Sequence, residues 1–310
     1  MKIKYFMKDK IYILGDIILD KFTYCDIEKI NPEAPCQLIK IKYSNYKLGG
    51  SSNVANNLDS LGLNIEMFGI IGNDNAGKKI KELSSEISNY FIQDYSKPTI
   101  LKERFISENY NQQILRADYE QKYTLNEKQL TEILLKFKEI TPKYTIISDY
   151  NKGFISKKLI NEIKKTNTKI LVDPKPENID FYYNVFLIKP NLKEASEIYG
   201  RKIINEDKNI EKAGLELVKK YKSNFIITRG EKGSTLITKD KKIKHVCQEP
   251  IDIFDVTGAG DTYISALTYG LIKYEDNLEK AIEIAQIASK LVVQKSGTAT
   301  ITKSEIDKYI

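Results

Sequence analysis

The chain predicts an α/β protein built on a doubly wound, mostly parallel sheet with helices on both faces. Short β-rich runs alternate with segments of helical period along most of its length, and 310 residues with 41% hydrophobic content suffice for a large core. The expected strands are IYILG (11–15), IEMFGI (65–70), YTIIS (144–148), KILVD (169–173), VFLI (185–188) and FIITRG (225–230), each rich in β-branched or aromatic residues. Between and after them SSNVANNLDSLG, DNAGKKIKELSSEI, LNEKQLTEILLKFKEI, NIEKAGLELVKKY, ISALTYGLI and LEKAIEIAQIASKLVV place apolar residues at helical spacing. In such sheets ligands bind beyond the carboxyl ends of the strands. Two stretches break the alternation. APCQLIKIKYS (34–44) and TILKERFISENYNQQILRAD (99–118) have strand composition without intervening helices, which predicts a small added sheet acting as a lid or a dimer surface. No linker or internal repeat interrupts the chain. It reads as one domain over 1–310, with the lid strands within 21–45 and 97–118.

Composition narrows the chemistry. The net charge of +7 comes from lysines spread along the chain, not gathered in a block, so a nucleic-acid partner is not expected. Cys25, Cys36 and Cys247 are odd in number and lack CxxC spacing, which fits a reducing cytoplasm and excludes a disulfide framework or zinc site. His245 is the only histidine and sits in the strand-like KKIKHVCQEP, so a Ser/His/Asp hydrolase is disfavoured. No run of about 18 apolar residues is present, and no membrane partner is expected.

The stretch DVTGAGDTY (255–263) holds the most pointed chemistry. Gly258 and Gly260 allow a tight turn, and the apolar run behind them supplies a helix whose free amides and dipole favour negative charge. By itself the stretch fits equally a glycine-flanked helix start with Asp261 as its first-turn carboxylate, or a phosphate site. GxGxxG after the first strand and GxxxxGK[ST] are both missing, so neither a dinucleotide fold nor a common nucleotide triphosphatase is supported.

DVTGAGD resembles the signature near the C-terminus of the ribokinase family of carbohydrate kinases. Its N-terminal counterpart stands here as GDIILD (15–20) and LGGSSNVANNLDSLG (48–62), followed by IGNDNAG (71–77). INPEAP (30–35), KERFISENYNQQILRAD (102–118), SDYNKG (148–153), VDPK (172–175), KPNLKEA (189–195) and KSGTATIT (295–302) are similar, in order, to the kinase domain of the heptose 7-phosphate kinases. That resemblance covers nearly the whole chain. It implies a ribokinase-like fold, ATP with Mg²⁺, a sugar phosphate substrate in the ADP-heptose route to lipopolysaccharide cores, and a homodimer through the lid strands.

Carried over residue by residue, the resemblance makes Asp261 the general base and the amides of Gly258, Ala259 and Gly260 an anion hole for the phosphoryl group in transfer. A carboxylate of ordinary pKa is a weak base for an alcohol, so it is expected to work by position. Asp16 and Asp20 follow the first strand and can each accept from two sugar hydroxyls, with Gly49, Gly50 and Asn53 facing the same sugar. Arg104, Arg116, Lys152 and Lys175 are the candidates for the phosphate the substrate already carries. Lys189, Asn191, Thr228, Gly230 and Gly233 belong to the nucleotide side, and Glu194 would hold Mg²⁺ through water. Asp255 and Thr257 could hold a monovalent cation such as K⁺. Gln286 stands where many relatives have an asparagine near the adenine. Many heptose kinases are fused to a nucleotidyltransferase; no HxGH-type site follows Ile310, so either a stand-alone kinase or the kinase domain of a longer protein is expected. The rival readings are a kinase for another sugar or sugar phosphate and a catalytically silent sugar-binding protein on the same fold.

Overall fold

The computed structural model describes residues 10–248, 254–295 and 299–310. The strands are β1 (Ile11–Gly15), β2 (Ile17–Ile30), β3 (Gln37–Gly50), β4 (Ile65–Gly72), β5 (Asn89–Asp94), β6 (Ile100–Ser107), β7 (Gln112–Tyr119), β8 (Tyr144–Ser148), β9 (Lys169–Asp173), β10 (Leu187–Ile188), β11 (Asn224–Thr228), β12 (Ser234–Ile237) and β13 (Ile243–Val246). The helices are α1 (Ser51–Ser60), α2 (Asn75–Leu83), α3 (Glu127–Glu139), α4 (Lys157–Ile163), α5 (Leu192–Tyr199), α6 (Asp207–Tyr221), α7 (Ala259–Lys273), α8 (Leu278–Val292) and α9 (Lys303–Ile306).

Nine strands form one sheet in the order β13-β12-β11-β10-β9-β8-β1-β4-β5, parallel from β11 to β5 and closed at the other edge by antiparallel β12 and β13. β1 is wholly buried because the sheet is covered on both sides. Ile11 and Ile13 join the core under α1, α7 and α8, while Tyr12 and Leu14 join the core under α3, α4 and α6. The buried face of α7 extends nearly all round it, as ISALTYGLI foreshadows. Gly270 lets α8 approach closely there, since a Cβ at that position would strike Ala281. Among the described residues no helix is long and apolar enough to cross a membrane.

Four strands form a second sheet, β3-β2-β6-β7. Here the sequence expectation shifts. GDIILD does not end at a turn: after Asp16 the chain re-enters extended structure, and β2 runs 14 residues as a strand of the added sheet. VFLI keeps only Leu187–Ile188 as strand, because the Val185 amide is taken by Ser223 Oγ at 3.0 Å and not by a neighbouring strand. FIITRG ends at Thr228, where Gly230 at φ 61° turns the chain aside. Residues 296–298 of KSGTATIT lie outside the described residues.

Candidate active site

β1 is flanked by β4 on one side and β8 on the other, so the strand order reverses at it and a crevice opens beyond the carboxyl ends. Asp16 follows β1, Asp149 and Tyr150 follow β8, Asp173 ends β9, Lys189 follows β10, and Thr228 ends β11. A cavity of about 1810 Å³ occupies this edge, and its lining includes Tyr150, Asp173, Lys175, Lys189 and Asp261 together with Gly233, Gln248, Gln286, Ser289 and Val293.

Asp261 lies in the first turn of α7 and is 5% exposed. Asn53 Nδ2 donates to its Oδ2 at 2.7 Å, and Tyr150 Oη donates to its Oδ1 at 3.0 Å. α1 and α7 are thereby tied together: Asn57 donates to Asn53 and accepts from Thr262 Oγ1 at 2.9 Å. Burial pushes the Asp261 carboxyl up to about 7, against the hydrogen bond from Asn53 and with added repulsion from Asp173. The expectation of an ordinary carboxylate is thus corrected: removal from water has made this group a base suited to neutral pH. Tyr150, held well above the usual phenol range by burial and by Asp261, remains a donor.

The glycine cradle is narrower than expected. Gly258 caps α7 at φ 79°, but the Ala259 amide donates back to the Val256 carbonyl at 3.2 Å and is not free for an anion. Among the described residues the Gly258, Gly260 and Asp261 amides have no acceptor, which leaves them free to meet an anion.

Asp16 also has a structural task. Its Oδ2 accepts from the amides of Tyr150 and Lys152, each at 3.0 Å, and its Oδ1 from Phe154 at 3.2 Å. It clamps the loop after β8. Asp20 points off the added sheet: it pairs with Arg104, and a Cβ on Gly49 would collide with its carboxylate, so only glycine fits there. Gly50 at φ 57° turns β3 into α1, presenting Asn53 to Asp261.

The cationic candidates are redistributed. Arg116 is exposed and bonded to Asp118 at 2.8 Å; the Lys152 ammonium is bonded to Glu120 at 2.5 Å, and its backbone amide is what serves Asp16. Lys175 bonds Glu194 at 2.6 Å, and its ammonium lies 5.6 Å from the centre of the Tyr150 ring. Glu194 itself is buried in a capping box with Asn191, accepting from the Asn191 amide at 3.0 Å. Lys189 lies 3.1 Å from Asp173. Thr228 and Gly230 line the cavity; Gly233 does as well, though its amide is used by the Gly230 carbonyl at 2.9 Å. Gln286 accepts from Ser234 Oγ at 2.9 Å and also bonds Gln248, and both glutamines line the cavity. Asp255 and Thr257 form a local turn, the Thr257 amide donating to Asp255 Oδ1 at 2.8 Å, and neither lines the cavity.

Tyr150 and Asp173 were missed by sequence reasoning. Both lie in motifs already singled out, SDYNKG and VDPK, next to the residues chosen for charge. Their position directly after a parallel strand was the available signal.

The sequence matches the pfkB family carbohydrate kinase pattern over residues 9–305. The chain belongs to the pfkB family of carbohydrate kinases. This pfkB kinase is 33% identical over 312 residues to the bifunctional protein HldE of Haemophilus influenzae (strain PittEE), a match covering 98% of its own length and 64% of that protein. It is 37% identical over 309 residues to the HldE of Campylobacter concisus (strain 13826), covering 97% of the chain and 64% of the relative. The kinase therefore spans just under two thirds of the length of these relatives. Its fold is that of phosphofructokinase-2 from Escherichia coli, solved in complex with potassium, with a TM-score of 0.82, 20% identity and 97% of each chain covered. A ribokinase from Giardia lamblia superposes with a TM-score of 0.76 at 17% identity, over 98% of this chain and 100% of that one.

Proposed function

We propose that this kinase transfers the γ-phosphoryl group of ATP to the C1 hydroxyl of D-glycero-β-D-manno-heptose 7-phosphate, giving the 1,7-bisphosphate in the ADP-heptose route. The observation that carries the chemistry is Asp261, buried, raised to about 7, and hydrogen-bonded by Asn53 and Tyr150 next to two free amides of α7. The choice of sugar rests on the NQQILRAD and INPEAP segments and on the likeness to the HldE proteins.

In the transfer, the sugar oxygen attacks the γ-phosphorus, the bond from that phosphorus to the β-γ bridging oxygen breaks, and the hydroxyl proton passes to Asp261. The Gly260 and Asp261 amides and the Lys189 ammonium face the charge on the phosphoryl oxygens. Asp20 orients the sugar by accepting its hydroxyls. The nucleotide lies along the cavity from Lys189 and Thr228 toward Gln286 and Val293. Bound Mg²⁺ would neutralise the phosphate oxygens. Asp173 and Glu194, which line the cavity, would help to hold it through water. Asp255 and Thr257 would hold a monovalent cation beside the loop.

Coupled ADP release from the purified protein, over a panel of sugars and sugar phosphates, tests the reading. Heptose 7-phosphate is expected to give the highest kcat/KM. A clear preference for fructose 6-phosphate or an unphosphorylated hexose would move the assignment to another pfkB substrate, and no ADP release with any sugar would favour a silent binder.

A further inference from the structure

The four-stranded sheet presents one face to the crevice, and its register fixes which side chains share that face. Asp20 on β2 pairs with Lys102 on β6, and Lys102 in turn pairs with Asp118 on β7. Cross-strand partners project to the same side, so Lys102 stands beside Asp20 and Arg104. Five neighbouring cations are committed: Arg104 to Asp20, Arg116 to Asp118, Lys152 to Glu120, Lys175 to Glu194 and Lys189 to Asp173. Lys102 is half-buried and has no carboxylate within 4.0 Å among the described residues. Its ammonium lies 5.5 Å from the centre of the Tyr150 ring, whose hydroxyl bonds Asp261 at 3.0 Å. One aromatic ring and one hydrogen bond thus separate an uncommitted cation from the base.

We propose that Lys102 grips the phosphate that the acceptor sugar already carries, and so determines the preference for a phosphorylated substrate. This rests on the sugar phosphate kinase reading above. A sugar phosphate with its reacting hydroxyl on Asp261 brings a second anion into a site that already holds the Asp20 and Asp261 carboxylates. A cation already paired would have to give up its partner to receive that anion; Lys102 would not. Burial lowers the Lys102 ammonium below the usual lysine range, opposed by the Asp20 and Asp118 carboxylates and helped by repulsion from Lys152 and Arg116. A phosphate dianion relieves both effects. The Tyr150 ring, with Lys102 over it, sets the separation between phosphate and base, so the reach of the sugar becomes part of its selection.

The test compares wild type, Lys102→Met and Arg116→Met on two pairs of acceptors: heptose 7-phosphate against the free heptose, and fructose 6-phosphate against fructose. The readout is the ratio of kcat/KM within each pair. Lys102→Met is expected to lower that ratio about 30-fold, mainly through KM for the phosphorylated sugar, with Lys102→Arg recovering part of it. An unchanged ratio in Lys102→Met, or a loss in Arg116→Met instead, would overturn the role of Lys102 while leaving the kinase reading intact. A wild-type preference for the unphosphorylated member of both pairs would overturn the substrate reading and this proposal together.

Discussion

Asp261 draws its basicity from burial, and the two hydrogen bonds it accepts restrain that effect. Removing a donor therefore makes the carboxyl easier to protonate. Since the base must be ionised to accept a proton, kcat/KM should fall on the acid side of a midpoint near pH 7. Tyr150→Phe should shift this limb to higher pH, because the lost hydrogen bond had favoured the charged form; a pH profile of the variant checks the direction. The identity of Asp261 was legible in GAGD, yet its strength was not. Spacing alone cannot report that Asn53, 208 positions away in sequence, closes over it.

At the scale of elements, the crevice depends on a loop that Asp16 clamps. Asp16 receives three amides from the segment that carries Tyr150. Asp16→Ala leaves those buried donors without acceptors and is expected to cost about 2–4 kcal/mol in denaturant unfolding, and to reduce turnover by releasing Tyr150 from Asp261. The parallel strands and the main helices could be read from hydrophobic period because each buries a regular face. β2 could not: GDIILD looks like a strand end followed by a turn, and only the pairing of Ile17 with Gly50 and Ile18 with Ile100 makes it the start of a long strand of the four-stranded sheet. The same limit hid the partners of Arg116, Lys152 and Lys175, since a basic residue in a matched motif says nothing about which carboxylate will face it.

In the proposed reaction the nine-stranded sheet would supply base, cradle and nucleotide cavity, and the four-stranded sheet Asp20, Arg104 and Lys102. We propose that the smaller sheet also forms the contact between two copies, because it leaves Ile41, Leu115 and Tyr119 exposed. Sedimentation should show a dimer, shifted toward monomer by Leu115→Lys; a monomeric wild type would refute this contact. The claim on which the rest depends is that Asp261 is the base, and turnover of Asp261→Asn tests it most directly. The folded carboxyl, at about 7 against an ordinary 3.8, takes stability from the protein as pH rises through that window. The asparagine variant should therefore melt above wild type at pH 8, with the gap closing toward pH 4, which shows that it is folded. Its kcat on the preferred sugar phosphate should fall at least about 10³-fold. A folded Asp261→Asn enzyme that keeps its kcat within about 10-fold of wild type would contradict the account.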